Sequence, residues 1–331
     1  MSAIISFLEY LAIVFGIYSL VVIGLNLEVG YAGIPDFGKA MSFGLGMLAI
    51  YPICYKLIPY FNTNPLLSIA LLVLILILSF VIGFVTGFIV TIPAIRLKED
   101  YLAMYLLGVA VAIIWVLHYE VYKSAATGNY FIGIPSLYKW AGANSDAAWA
   151  ITMLVVTFIT LALVQKLCTS PFGRILKAIR ENELVVETYG RNVILFKLIT
   201  MGIGSGIVAM AGALYALWRS VVSIDVYAQL YWTFIPWLII LLGGLGNMYG
   251  AVAGAFIYAL FECIFRTYLS AIRLPLGIVV SHLTLWFGFG VAMLLLIIFR
   301  PEGILPEKPI LTKPIKKLKE LKRKESKERQ K

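Results

Sequence analysis

The sequence predicts an all-α, polytopic membrane helix bundle, and three observations carry that prediction. Of 331 residues, 61% are hydrophobic and only 13% charged, against about 45–50% and about 25% in soluble domains. The mean hydropathy is +0.94, and a soluble fold of this length leaves too much surface in water to hide that much apolar side chain. The apolar runs are continuous and long, whereas outer-membrane barrel strands alternate apolar and polar residues. These features exclude a secreted enzyme, a disordered scaffold and a soluble nucleic-acid binder.

Each crossing helix needs about 20 apolar residues. Tyr10–Leu27 is the first run; nothing before it carries a Lys, an Arg or a small-residue cleavage pattern, so it reads as a retained span. Ala40–Tyr55 is shorter and contains glycine. Leu66–Ile92 is the most apolar run, and Tyr101–Leu117 follows it. After a polar loop at Tyr119–Asp146 come Ala147–Val164 and Leu198–Trp218. Val226–Phe261 is 36 residues without a charge, too long for one ordinary helix. Gly243-Gly244-Leu245-Gly246-Asn247 interrupts it, and Pro236 adds a second weak point. Backbone freed by such a break must face protein or a water-filled cavity. Leu274–Phe299 is the last run, for about eight to nine membrane segments in all.

Charge sets the expected orientation. The segment at about 168–197 carries Arg174, Lys177, Arg180, Arg191 and Lys197, so it reads as cytoplasmic. Residues 300–331 hold twelve Lys/Arg and five Asp/Glu, supplying +7 of the formal +10, and read as a cytoplasmic C-terminus. An even number of crossings between the two requires the Gly-interrupted stretch to pass twice. Counting back places the N-terminus outside, with Lys39, Arg96 and Lys98 among the inner charges. The chain thus divides into a membrane body, 1–305, and a basic tail, 306–331, that is disordered or lies on the anionic inner leaflet.

Ser170–Gly190 is the most informative polar stretch. Ser170 suits a helix cap and Pro171 the first helical position. Phe172, Ile175, Leu176 and Ile179 recur at helical spacing, with Arg174, Lys177, Arg180 and Glu181 on the other faces. Lys177 and Glu181 are spaced to pair, and Gly190 supplies a left-handed stop. So charged a helix lies in the lipid interface or docks into a soluble partner; periodicity leaves both open.

Five ordered motifs then become familiar. They are Leu25–Gly33 with Asp36–Met41 and Gly44–Gly46; Pro93–Ala103; Ser170–Gly190; Gly243–Gly250; and Arg300-Pro301-Glu302-Gly303-Ile304. Together they resemble the membrane-spanning permease subunits of branched-chain amino acid ABC transporters, the LivM/LivH family, and LivM more than LivH. Asp36 and Lys39 depart from it, standing where the family more often has neutral or His-like residues. The resemblance implies an importer of the prokaryotic cell membrane, inner or plasma. A second permease, of the H type, two cytoplasmic ABC ATPases and an extracytoplasmic substrate-binding protein would complete it. It also implies that Arg174–Gly190 is the ATPase-coupling helix, with Pro171, Gly173, Arg174, Lys177, Arg180, Glu181, Glu183 and Gly190 as its residues.

The chain's own content fits a partner-driven system. No G-x-x-x-x-G-K-[ST] phosphate loop occurs, so ATP-Mg belongs to the partner ATPase and this chain is expected to bind no cofactor. No metal-binding spacing exists, and Cys54, Cys168 and Cys263 read as small apolar core residues. Carboxylates inside the spans are scarce, Glu120 and Glu262 lying near helix ends, which argues against a proton-coupled carrier. His118 and His282 read as buried neutral residues.

Gly202, Gly204 and Gly206, and the ladder Gly246, Gly250 and Gly254, read as close-packing positions. Gly243, Gly244, Gly246 and Asn247 also offer backbone dipoles to a zwitterionic solute, as broken helices do. They are candidate pathway residues, and so is Asn26, which alternatively bonds a neighbouring helix. Trp115, Tyr119, Trp140, Trp149, Trp218, Tyr231 and Trp232 read as an aromatic belt. Import of another small polar solute such as urea or an amide, and a stand-alone channel or secondary carrier, are the competing functions.

Overall fold

The computed structural model describes residues 2–61, 64–124, 132–222, 229–269, 288, 290–291 and 303–307. The helices are α1 (Ser2–Asn26), α2 (Lys39–Phe61), α3 (Pro65–Thr91), α4 (Glu99–Ser124) and α5 (Ser145–Thr169). They continue with α6 (Pro171–Glu181), α7 (Glu183–Thr188), α8 (Val193–Arg219), α9 (Ile235–Gly243) and α10 (Met248–Ile264). Among the described residues, six helices are long and apolar enough to cross a membrane, and Asp100–Val116 and Leu230–Gly243 are shorter apolar helices. Apart from residues 288 and 290–291, the run at 274–299, with His282, lies outside the described residues. Ile132–Gly133 pairs with Val221–Val222 in a two-residue antiparallel bridge.

Packing explains the small residues of α8. Helices in lipid gain little from the hydrophobic effect, so close contact between backbones has to hold them. Gly202 and Gly206 each seat a phenylalanine of α3, Phe84 and Phe80, and a Cβ at either would come within 2.8 Å of the ring. Gly212 lies against the backbone of Phe43 in α2, and Gly46 of α2 against Ala209. On the far side Gly24 of α1 meets the backbone of Gly204. Thus α8 packs with α1, α2 and α3 at once. Gly16 of α1 takes Met153 of α5, and Thr157 Oγ1 donates to the Gly16 carbonyl at 3.1 Å.

The aromatic-belt reading needs two corrections. Trp149 is only 3% exposed, with its ring 4.6 Å from Tyr138. Trp232 stacks on Phe43 at 3.6 Å and on Tyr18 at 5.5 Å. Both join the core because neighbouring aromatic faces claim them. Trp115 and Trp140 remain exposed.

The long uncharged stretch is two helices. A π-helical turn at Leu230–Phe234 runs directly into α9, and Pro236 stands just after it, where the hydrogen-bond pattern changes from π to α. Gly244 (φ 113°) and Gly246 (φ 75°) adopt backbone that L side chains rarely enter, and the chain reverses there. Gly243 then lies on Gly250, and Gly254 on the Ile239 carbonyl, so α9 and α10 run antiparallel and side by side. The chain enters and leaves the break at the same end of the bundle.

Candidate functional site at the basic end of the bundle

That end also carries α6 and α7. Ser170 caps α6, its Oγ accepting from Phe172 N at 3.2 Å. Gly173 is buried, and a Cβ there would collide with the Cys168 carbonyl, so the tight turn out of α5 requires glycine. Leu176 and Ile179 are buried, and Phe172 meets Phe196 of α8 with ring centroids 5.5 Å apart. One face of α6 is therefore committed to the bundle.

The sequence pattern implied a single helix to Gly190; the structure contains two. Asn182 is extended, and its side chain accepts from Val185 N at 3.2 Å, restarting the chain as α7. Gly190 has φ 73° and ends the segment. Pro171, Arg174, Glu181, Leu184, Val185, Glu187 and Tyr189 are exposed.

Lys177 and Arg180 turn the other way. Lys177 does not pair with Glu181. Its Nζ lies 2.5 Å from Glu307 Oε1 and 4.7 Å from the centre of the Tyr31 ring. Arg180 Nη2 lies 2.7 Å from Glu307 Oε2, and Nη1 donates to the Gly30 carbonyl. Glu183 pairs instead with Lys197 of α8. Glu183 and Lys197 also line, with Arg96, Lys98, Asp100 and Glu187, a cavity of about 640 Å³.

Glu307 belongs to a short C-terminal strap laid over the helix break. Ile304 N donates to the Leu242 carbonyl at 2.9 Å and Leu305 N to the Gly243 carbonyl at 3.0 Å. These are carbonyls that the end of α9 cannot satisfy within the helix. Asn247 Nδ2 donates to the Leu305 carbonyl at 3.2 Å, while its Oδ1 caps α10 by accepting from Tyr249 N at 3.1 Å. Asn26, fully buried, accepts from Gly246 N at 3.1 Å and points its amide at Met248 Sδ, 3.5 Å away. The candidate pathway residues Asn26, Gly243, Gly246 and Asn247 thus bond to one another or to the strap, and buried Gly244 packs on Gly303. They meet the α6 residues Lys177 and Arg180 through Glu307.

A second charged cluster went unread in the sequence. Lys39 Nζ pairs with Glu28 and, at 2.7 Å, with Asp36 Oδ2, and all three side chains are buried. The Glu28 carboxylate occupies the space beside Gly204 where a Cβ would stand. Asp36 Oδ1 accepts from Gly38 N at 2.6 Å, and the Asp36 carbonyl accepts from Trp237 Nε1 at 2.9 Å. Ala40 N donates to Thr233 Oγ1 at 3.0 Å. The cluster pins the loop between α1 and α2 to the α9 segment. The count of crossings places Lys39 among the inner-loop charges; the structure buries it in an ion cluster. The available signal was its spacing from Glu28 and Asp36, two unmatched acids beside spans. Among the described residues, no three or more His, Cys, Asp or Glu side chains are grouped to hold a metal ion.

Comparison with known proteins bears directly on this arrangement. The family described as branched-chain amino acid transport system / permease component matches residues 7–299. The probable branched-chain amino acid transport permease protein LivM of Methanocaldococcus jannaschii is 35% identical over 327 residues, spanning 92% of this chain and 94% of that protein. The high-affinity branched-chain amino acid transport system permease proteins LivM of Salmonella typhimurium and Escherichia coli are 25% and 24% identical, each over 92% of this chain and 70% of theirs. With its helical membrane-spanning body, the chain belongs to the branched-chain amino acid transport permease family and is of the LivM type.

Proposed function

We propose that this chain is one of two permease subunits of an ATP-driven importer and forms part of the translocation pathway for branched-chain or related amino acids. A second, H-type permease completes the membrane pair. Two cytoplasmic ABC ATPases supply the energy, and an extracytoplasmic binding protein delivers the solute. On this reading the basic end of the bundle and the C-terminus face the cytoplasm.

The observation that carries the proposal is the two-faced segment α6–α7. Leu176 and Ile179 are buried in the bundle, while Leu184, Val185 and Tyr189 are 73%, 50% and 81% exposed beside Arg174 and Glu181. Exposed apolar anchors ringed by charges suit a groove on a soluble partner. We assign that groove to the ATPase, and α6 with α7, through Gly190, to the coupling segment.

Recovery of the tagged chain from native membranes in mild detergent tests this. The wild type is expected to bring down an ATPase and a second permease. A double variant, Arg174→Glu with Leu184→Asp, should lose the ATPase and keep the permease, since neither residue is in the buried face. Wild type recovered without an ATPase at any ionic strength would overturn the proposal.

A further inference from the structure

We infer that Glu307 is a positioning residue that transmits movement of α6 to the α9–α10 break. The inference rests on the coupling role proposed for α6, but its geometry stands alone. α6 has an outward face with Arg174 and an inward face with Lys177 and Arg180. Both inward cations converge on the two oxygens of one carboxylate, at 2.5 and 2.7 Å. That carboxylate belongs to the strap whose Ile304 and Leu305 amides bind the last carbonyls of α9. The strap also receives Asn247, the residue that caps α10. Glu307 therefore joins the docking helix to both arms of the helix hairpin.

A second link runs in parallel. Arg180 also holds the Gly30 carbonyl, and Asn26, in the same region of the chain, accepts from Gly246 N. Glu307 Oε2 and Arg180 Nη1 lie 2.5 and 3.0 Å from where a Gly246 Cβ would stand. The clamp thus seats directly on the left-handed glycine of the break. Coupling between sites requires a physical connection to an element that has two arrangements. The break has the needed irregular backbone: Gly244 N still donates to the Ile240 carbonyl of α9, but beyond it the hydrogen bonds come from the strap and from Asn26. Partial exposure suits a moving joint. The Lys177, Arg180 and Glu307 side chains are 16%, 28% and 24% exposed, so their pairing can be remade without stranding a dry charge.

The test uses Glu307→Gln, which keeps the size and removes the charge, and Glu307→Asp, which restores a carboxylate on a shorter stem. In proteoliposomes holding the complete transporter, Glu307→Gln should lower uptake about fivefold, the scale of a lost partly exposed ion pair. ATP hydrolysis should stay within about twofold and the ATPase should still co-purify, as the clamp faces away from the docking surface; Glu307→Asp should recover part of the uptake. Hydrogen exchange on the detergent-solubilised permease alone gives a readout that needs no partner. Glu307→Gln should raise exchange by up to about fivefold at the Ile304, Leu305 and Gly246 amides, leaving the middle of α8 unchanged. Normal uptake, uptake and hydrolysis falling together, or unaltered exchange at those amides would each overturn the inference. Absence of an ATPase with the wild type would instead remove the importer reading, and the exchange result would still decide whether Glu307 holds the break.

Discussion

Two ion clusters in this chain use the same chemistry in opposite settings. In one, Lys39 stands between Glu28 and Asp36, with side chains 0%, 0% and 3% exposed. In the other, Glu307 stands between Lys177 and Arg180 at the basic end, each partly exposed. Burial decides what each can do. Removing one partner of a dry cluster leaves an uncompensated charge in low dielectric, so that cluster is a fixed rivet. A partly wet cluster contributes little to stability and can open and re-form, so it is suited to a joint.

The largest expected effect is on the rivet. Lys39→Met should destabilise the protein by about 3–5 kcal/mol, read as a loss of folded, monodisperse protein in detergent and a lower Tm. Combining it with Glu28→Gln and Asp36→Asn should recover most of that loss, because no unpaired charge then remains. Failure of the triple variant to recover would mean that the ion pairs themselves, and not the avoidance of a lone charge, hold the loop.

Packing around the rivet comes next. Gly204→Val should cost about 1–3 kcal/mol, since the side chain must displace the Glu28 carboxylate. Gly108 has open space around the position of its Cβ, so Gly108→Val is the control and should leave Tm nearly unchanged. Asn26→Leu should cost a similar amount, about 1–3 kcal/mol, by leaving the buried Gly246 N–H without its acceptor. Its signature is faster hydrogen exchange at Gly246. The smallest effect on stability belongs to the joint: Lys177→Gln should shift it by about 1 kcal/mol or less.

The sequence made the bundle readable because a membrane span is a local property. Each continuous apolar run from Tyr10 to Trp218 falls on a helix of the fold, and the described part of Val226–Phe261 divides into two around Gly243–Asn247, where glycine chemistry already suggests a break. The clusters were less legible because their partners are distant in the chain. Glu307 meets Lys177 and Arg180 across separations of 130 and 127 residues, and it stands at the edge of a tail whose composition reads only as basic. Lys39 looked like a loop charge because nothing local shows that the Gly33–Gly38 stretch folds Asp36 and Glu28 around it. Asn182 splits α6 from α7 by capping, a competition between side chain and helix that an apolar period does not register.

Thermal unfolding of Lys39→Met and Glu307→Gln, side by side in one detergent at low and high salt, tests the contrast most directly. The Lys39→Met loss should be several kcal/mol and nearly independent of salt. The Glu307→Gln loss should be about 1 kcal/mol or less and shrink as salt rises, because only partly exposed charges are screened. Equal losses, or a salt-sensitive loss at Lys39 with a salt-insensitive one at Glu307, would contradict the division into rivet and joint.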